Sequence, residues 1–181
     1  MTVVIAAGTG IFLASDRPLI PGPLVAGDSA QGPVYVAGGQ GRDRVVYLPG
    51  ATVQWGYSIR NDGILPVTVT NVEPISGGPF SSSSVLISTC DLATAGCNAF
   101  PGPLEPFRAF SLGVSQQRTL LYRAVFANCG QLSARSNAIA FSGFTVFSGF
   151  TVTYQAFGVS RTVPIDGWQH DALRVDVPSG C

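Results

Sequence analysis

The sequence predicts an all-β protein, an antiparallel β-sandwich of about seven to nine strands preceded by an extended Pro/Gly-rich segment. Three observations lead there. Short runs alternate apolar and polar residues, proline or glycine stands at nearly every junction, and beyond the amino end no helical apolar period exceeds about two turns. Composition permits a real core: 46% of the 181 residues are apolar and 11% are charged, less than half the usual charged share of about 25%. A chain this apolar can offset the entropy of ordering, so disorder is excluded as its general state.

The clearest strand is "TVQWGYSIR" (residues 52–60), with Val53, Trp55, Tyr57 and Ile59 on one face and Thr52, Gln54, Gly56, Ser58 and Arg60 on the other. It ends in the turn residues Asn61, Asp62 and Gly63. "PVTVTNVE" (66–73), "SSVLIST" (83–89) and "FRAFSL" (107–112) follow as strands. In "QRTLLYRAVFAN" (117–128), Leu120, Tyr122, Ala124 and Phe126 alternate as a core face. "NAIAF" (137–141), a long run ending in "TYQAF" (153–157) and "SRTVPI" (160–165) complete the set.

The amino end reads differently. From Thr2 to Ala14 runs an uncharged apolar stretch of thirteen residues. It is shorter than the roughly 20 residues a membrane helix needs, and it has the length of a signal-peptide core. Either residues 1–16 are a truncated signal or anchor, or the run is a first β-strand broken at Gly8 and Gly10. Residues 17–41, including "PLIPGPLVAGDSAQGP", have the composition of an extended, poorly packed linker. The sandwich is assigned to residues 42–181.

Within it, "FSGFTVFSGFTV" (141–152) is one hexapeptide written twice. Two copies are too few for a solenoid. An insertion of six leaves strand parity intact, which places Phe144, Val146, Phe150, Val152 and Tyr154 on one face. A single strand over residues 138–157 would be about 65 Å long, too long for this domain. The chain is therefore expected to bend at Ser142-Gly143 or Ser148-Gly149, where glycine permits a bulge. Residues 136–160 carry neither charge nor proline, so an edge strand here, with Phe141, Phe144, Phe147 and Phe150, would be a site for pairing with another chain.

Three blocks carry a resemblance: "YSIRNDGILPVTVTNVEP" (57–74), "PFRAFSLGVSQQRTLLYRAVFANC" (106–129) and "FTVTYQAFGVSRTVPI" (150–165). They resemble bacterial exported proteins that have an amino-terminal membrane segment and one immunoglobulin-like domain. The first two blocks are also similar to ASPM/SPD-2/Hydin-like immunoglobulin domains. The shared features are the "N-x-G-x-x-P-V-T-V" strand pair at Asn61 to Val69 and the later "P-F-x-x-x-x-L-x-x-x-x-x-R-T" hairpin at Pro106 to Thr119. The resemblance implies an immunoglobulin-like sandwich and an extracytoplasmic location in the cell envelope or secreted, with membrane association through residues preceding or including Thr2 to Ala14. It implies no activity.

Reactive constellations are sparse. The best is "DGWQHD", Asp166 to Asp171, which holds the only histidine, His170, beside a carboxylate that could make it a general base. A polar loop after a last strand is the plainer reading. Ser81 to Ser84 form no nucleophile elbow, and the glycines at residues 8–10 and 38–41 lack nucleotide-loop spacing. Glu73 and Glu105 are the only glutamates and are far apart in sequence. Ten arginines balance ten acids with no basic stripe and no lysine, which argues against nucleic acid as a partner. No cofactor or metal is expected. The chain is read as non-enzymatic: a structural or protein-interaction module, self-association included. The alternatives are a carbohydrate or lipid binder using aromatics, and a hydrolase centred on His170.

Cys90, Cys97, Cys129 and Cys181 form an even set without C-x-x-C spacing, favouring disulfides over zinc. The pairing Cys90–Cys97 with Cys129–Cys181 is preferred of the three possible. Non-reducing peptide mapping of exported protein should join those pairs, and recovery of four alkylatable thiols from it would refute the assignment.

Overall fold

Strands and turns, with no helix among the described residues, make up the computed structural model, which describes residues 17–28, 35–36, 44–76, 80–89, 103–127, 144–166 and 173–176. For residues 23–28, 35–36, 44–46, 144–147, 166 and 173–176 the description is of the backbone. In chain order the strands are β1 (Leu19–Asp28), β2 (Tyr35–Val36), β3 (Arg44–Val46), β4 (Thr52–Asn61), β5 (Val67–Ser76) and β6 (Phe80–Ser88). They continue as β7 (Leu104–Pro106), β8 (Phe110–Leu112), β9 (Gln117–Phe126), β10 (Phe144–Ala156), β11 (Val159–Asp166) and β12 (Leu173–Asp176).

One sheet has the order β1-β4-β9-β6-β7, antiparallel throughout. The heart of the other is β8-β5-β10-β11, also antiparallel. The short β12, β3 and β2 extend this second sheet, β12 joining β3 by a parallel pairing. Five and four strands thus form the expected antiparallel sandwich. With β1, β4, β5, β6, β9, β10 and β11 lettered A to G, the sheets read A-B-E-D and C-F-G, the immunoglobulin arrangement. β8 lies beside β5, although it follows β6 in the chain.

The core follows the alternation read from sequence. Val53, Trp55, Tyr57 and Ile59 of β4 and Leu120, Tyr122, Ala124 and Phe126 of β9 are buried together. They meet Val67, Val69, Val72, Leu112, Phe150, Val152, Tyr154 and Ile165 of the second sheet. Each such large side chain contributes about 1.5–3 kcal/mol by leaving water. Aromatic edges fit the layers together: Tyr57 meets Phe150 across the sandwich at 6.4 Å and 88°, and Phe80 stacks on Phe126 at 5.4 Å.

Bulges keep irregular sequence in phase. On β5 the buried face passes from Val67 and Val69 to Val72, a parity change that needs one extra residue. Thr70 is that residue: β10 steps from Thr153 to Tyr154 while β5 steps from Asn71 to Val69, and Thr70 Oγ1 donates to the Thr153 carbonyl at 3.2 Å. On β10 the step is reversed, between Phe147 and Gly149. Gly149 has φ 152°, a conformation that side chains rarely allow. A one-residue bulge thus stands at Ser148-Gly149, one of the two bends expected; the other, Ser142-Gly143, lies outside the described residues. The parity of Phe150, Val152 and Tyr154 accordingly holds from Gly149 onward.

Two expectations are corrected. Residues 19–28 are not linker but β1, paired with β4 from Leu19↔Asn61 to Asp28↔Gln54. Proline is tolerated because β1 is an edge strand of its sheet and its register slips between Pro21 and Val25. Residues 19–28 therefore belong to the sandwich that the sequence assigned to residues 42–181. The second correction concerns the supposed edge at the doubled hexapeptide. β10 is central: residues 149–155 pair with β11 on one side and β5 on the other, and Phe150 is buried in the core. Phe144 and Phe147 pair through their backbones with Val175 and Leu173 of β12. Phe141 lies outside the described residues.

Tyr47 closes the far end of the core, its ring centroid 5.2 Å from that of Phe126 in an edge-on contact and its hydroxyl donating to the Ala127 carbonyl. Burial raises its phenol above the ordinary value of 10.0. The folded state then holds this proton more tightly than the unfolded chain does. Its stabilisation is complete below the ordinary pKa and is lost as pH climbs through the raised one. Urea titrations should show wild-type stability falling on the alkaline side. Tyr47→Phe should lose about 1 kcal/mol at neutral pH and show a flatter alkaline decline.

Candidate interaction surface

Three turns meet at one end of the sandwich, and a single buried side chain organises two of them. Asn61, the last residue of β4, donates through Nδ2 to the Leu65 carbonyl at 2.8 Å and to the Leu112 carbonyl at 3.0 Å. Its Oδ1 accepts from Gly63 N at 3.0 Å, an Asx turn that starts the β4–β5 connection. A Cβ on Gly63 would stand 2.5 Å from Pro18 Cβ, so only glycine fits between Asn61 and the start of β1. The "N-x-G" of the sequence motif is therefore a packing requirement.

The backbone of Asn61 continues the network. Its N–H donates to the Gln116 carbonyl at 2.9 Å and its carbonyl accepts from Ser115 N at 2.8 Å. Next door, Asp62 N donates to the Pro18 carbonyl at 2.7 Å. The β8–β9 turn is pinned further by Gln116 Oε1, which accepts from Gly113 N at 2.7 Å. The third turn, Phe157-Gly158, joins β10 to β11 with both residues at positive φ, 53° and 75°. That is the two-residue I′ geometry, where Asn-Gly or Asp-Gly is usual.

Antiparallel pairing puts these turns at the same level. Val67 faces Leu112, Thr68 faces Gln155, and Ala156 faces Val159. Four adjacent strand tips at ~4.8 Å spacing span roughly 15 Å. Each bears an apolar side chain in solvent: Val114 at 49% exposure, Ile64 at 69%, Phe157 at 64% and Val159 at 53%. Beside them Arg60 Nη2 and Asp62 Oδ1 pair at 2.8 Å in the open, an interaction worth under about 1 kcal/mol. The other exposed large apolar residue among those described, Leu48, follows β3 at the opposite end.

The sequence candidates fall elsewhere. Cys90, Cys97, Cys129, Cys181, His170 and Trp168 lie outside the described residues, as do the glycine stretches and the apolar run at residues 2–14. Asp166 ends β11. Ser81 to Ser84 are exposed on β6, paired only with β9 at Ser82 to Ser84, because β7 faces Leu86 to Ser88. Glu73 on β5 accepts from Asn71 Nδ2 at 3.0 Å, and Glu105 on β7 pairs with Arg108. The two glutamates belong to different sheets. Among the described residues no group of three or more His, Cys, Asp or Glu could hold a metal, and no helix is long and apolar enough to cross a membrane. Trp55, Phe126 and Tyr154, expected in the core, are buried there. Sequence reading missed the apolar tips, although "AFGVS" between two alternating runs carries the signal: a two-residue hairpin with phenylalanine in asparagine's place. No protein-family model and no curated protein matches the chain.

Asn61→Ala should cost about 3 kcal/mol, because the buried Leu112 carbonyl, the part-buried Leu65 carbonyl and the Gly63 N–H lose their partner together. Gly63→Ala should cost a similar amount through the clash with Pro18. Guanidinium unfolding of both variants checks this, and losses below about 1 kcal/mol would mean that the corner tolerates repacking.

Proposed function

We propose that this protein is a non-catalytic interaction module of the cell envelope that binds a protein partner through the end carrying Ile64, Val114, Phe157 and Val159. Phe157 carries the reading. A bulky residue at φ 53° is disfavoured by about 1–2 kcal/mol relative to glycine, and this one holds an apolar ring in water. Neither the turn nor the core gains from that choice, whereas a contact surface does, since aromatic side chains anchor interfaces. Four cysteines and the short apolar run at residues 2–14 support an exported location. A sugar platform is less well supported: among the residues whose side chains are described, Phe157 is the one exposed aromatic, while Phe80, Phe107 and Phe110 are half-buried.

Phe157→Asn separates folding from binding, because asparagine suits the left-handed turn position. Its melting temperature should match or exceed that of the wild type. Site-specific photo-crosslinking in the cells that make the protein should give a discrete protein adduct from position 157 and none from position 48. The 157 adduct should weaken when Ile64 is changed to Ser. Equal adducts from both ends, lipid adducts alone, or no adduct at 157 would each defeat the reading.

A further inference from the structure

Asp62-Gly63 joins an accessible electrophile to a restrained nucleophile. The Asp62 side chain is 55% exposed, and its Oδ1 pairs in the open with Arg60 Nη2 at 2.8 Å. The Gly63 amide nitrogen, the backbone atom placed to attack that carboxyl group, is buried and donates to Asn61 Oδ1 at 3.0 Å. Glycine leaves such a nitrogen least shielded, because it has no Cβ beside it. Packing nevertheless requires glycine here, since a Cβ at residue 63 would stand 2.5 Å from Pro18 Cβ. The fold therefore needs, directly after an aspartate, the residue most open to backbone cyclisation. Both flanks of Asp62 are also held: its own N–H donates to the Pro18 carbonyl at 2.7 Å. Bond formation at Gly63 N removes the amide proton, so the hydrogen bond to Asn61 Oδ1 has to break first. Asn61 cannot follow the departing nitrogen, because it is fully buried and its Nδ2 is anchored to the Leu65 and Leu112 carbonyls. The nitrogen is engaged while this corner is closed and free when it opens locally.

We propose that Asp62-Gly63 is a backbone-isomerisation site gated by the Asn61 corner. When the corner opens, Gly63 N bonds to Asp62 Cγ, and the amide proton leaves with the carboxyl OH as water. The product is a five-membered succinimide. Water then adds at one of its two carbonyls, restoring aspartate or giving isoaspartate, with no oxidation or reduction in either step. In isoaspartate the main chain runs through Cβ and is longer by one C–C bond, about 1.5 Å. Gly63 then no longer meets both Asn61 Oδ1 and Pro18, so the modified corner stays open. A transient opening becomes a permanent covalent mark, whatever the apolar end of the sandwich binds.

The full chain is incubated at neutral pH, folded in buffer or unfolded in urea. Peptide mapping scores aspartyl and isoaspartyl forms at residue 62 separately from Asp166, the other aspartate that precedes a glycine. Isoaspartate at residue 62 should accumulate at least about tenfold faster in urea than in buffer. In buffer, Asn61→Ala should raise the rate by a similar factor, and Asn61→Ser by less, because a serine hydroxyl holds the Gly63 N–H more weakly. Val152→Ala leaves a cavity in the core away from the corner and controls for lost stability. While circular dichroism shows it folded, its rate should stay near that of the wild type. Equal wild-type rates in buffer and urea would overturn the proposal. Equal acceleration by Val152→Ala and Asn61→Ala would do so too, since global unfolding rather than the corner would then be the gate. If Asn61→Ala does not fold, Asn61→Ser against Val152→Ala decides in the same way.

Discussion

The corner at Asn61 is the interaction on which the rest of this structure depends. One amide reaches the carbonyls of Leu65 and Leu112 and accepts from Gly63 N, and the same residue's backbone joins Gln116 and Ser115. Through it β4 of the five-stranded sheet is bonded to the turn ahead of β5 and to the end of β8, both in the other sheet. Buried carbonyls left unpaired each cost about 1–3 kcal/mol, so this side chain satisfies polar groups that no strand ladder can reach. A leucine of similar size would fill the space and strand all three partners. The corner also sets where the two sheets register against one another, and with that the level at which the neighbouring turns emerge.

Behind the corner, the sandwich is kept in phase by local slips rather than by uniform strands. Thr70 adds a residue to β5 and Ser148 adds one to β10, while β1 slips between Pro21 and Val25. The first two insertions oppose each other along the β5–β10 pair, so register lost at one is recovered at the other. Strict alternation would have forced Val69 or Val72 into water. A bulge costs a ladder hydrogen bond locally, and Thr70 offsets part of that by bonding the Thr153 carbonyl. The doubled hexapeptide is tolerated for the same reason: Gly149 takes up the irregularity in a conformation that residues with a Cβ rarely adopt.

What was legible in the sequence was whatever depends on nearest neighbours. The faces of β4 and β9 were readable residue by residue because side-chain alternation is local, and the bend at Ser148-Gly149 because strand length limits a compact domain. β1 was hidden, since Pro21, Gly22 and Pro23 have the composition of a linker; only its position at a sheet edge makes them acceptable there. The supposed sticky edge failed for a related reason: uncharged residues fit an exposed edge and a doubly paired central strand equally well. Pairing partners, which no local pattern encodes, decided between them. The Asn61 corner was visible as a motif but not as a network, because Leu112 lies 51 residues away. The apolar tips were missed because each is a single residue in its own turn, brought level only by sheet order.

Among the described residues two non-glycines have positive φ, and they differ in what surrounds them. Ser115, at φ 61°, is compensated: its N–H bonds the Asn61 carbonyl, and the turn around it closes through Gln116. A small polar residue in the left-handed region is also inexpensive. Phe157 is bulky, sits beside a glycine that already supplies the turn's second positive φ, and directs its ring into solvent rather than toward the core. Folding alone would favour asparagine at this position. Phe157 thus opposes both its backbone preference and its solvent, and this is the observation from which the proposed contact surface is argued. Ile64, Val114 and Val159 are exposed at the same level, brought together by sheet order rather than by sequence.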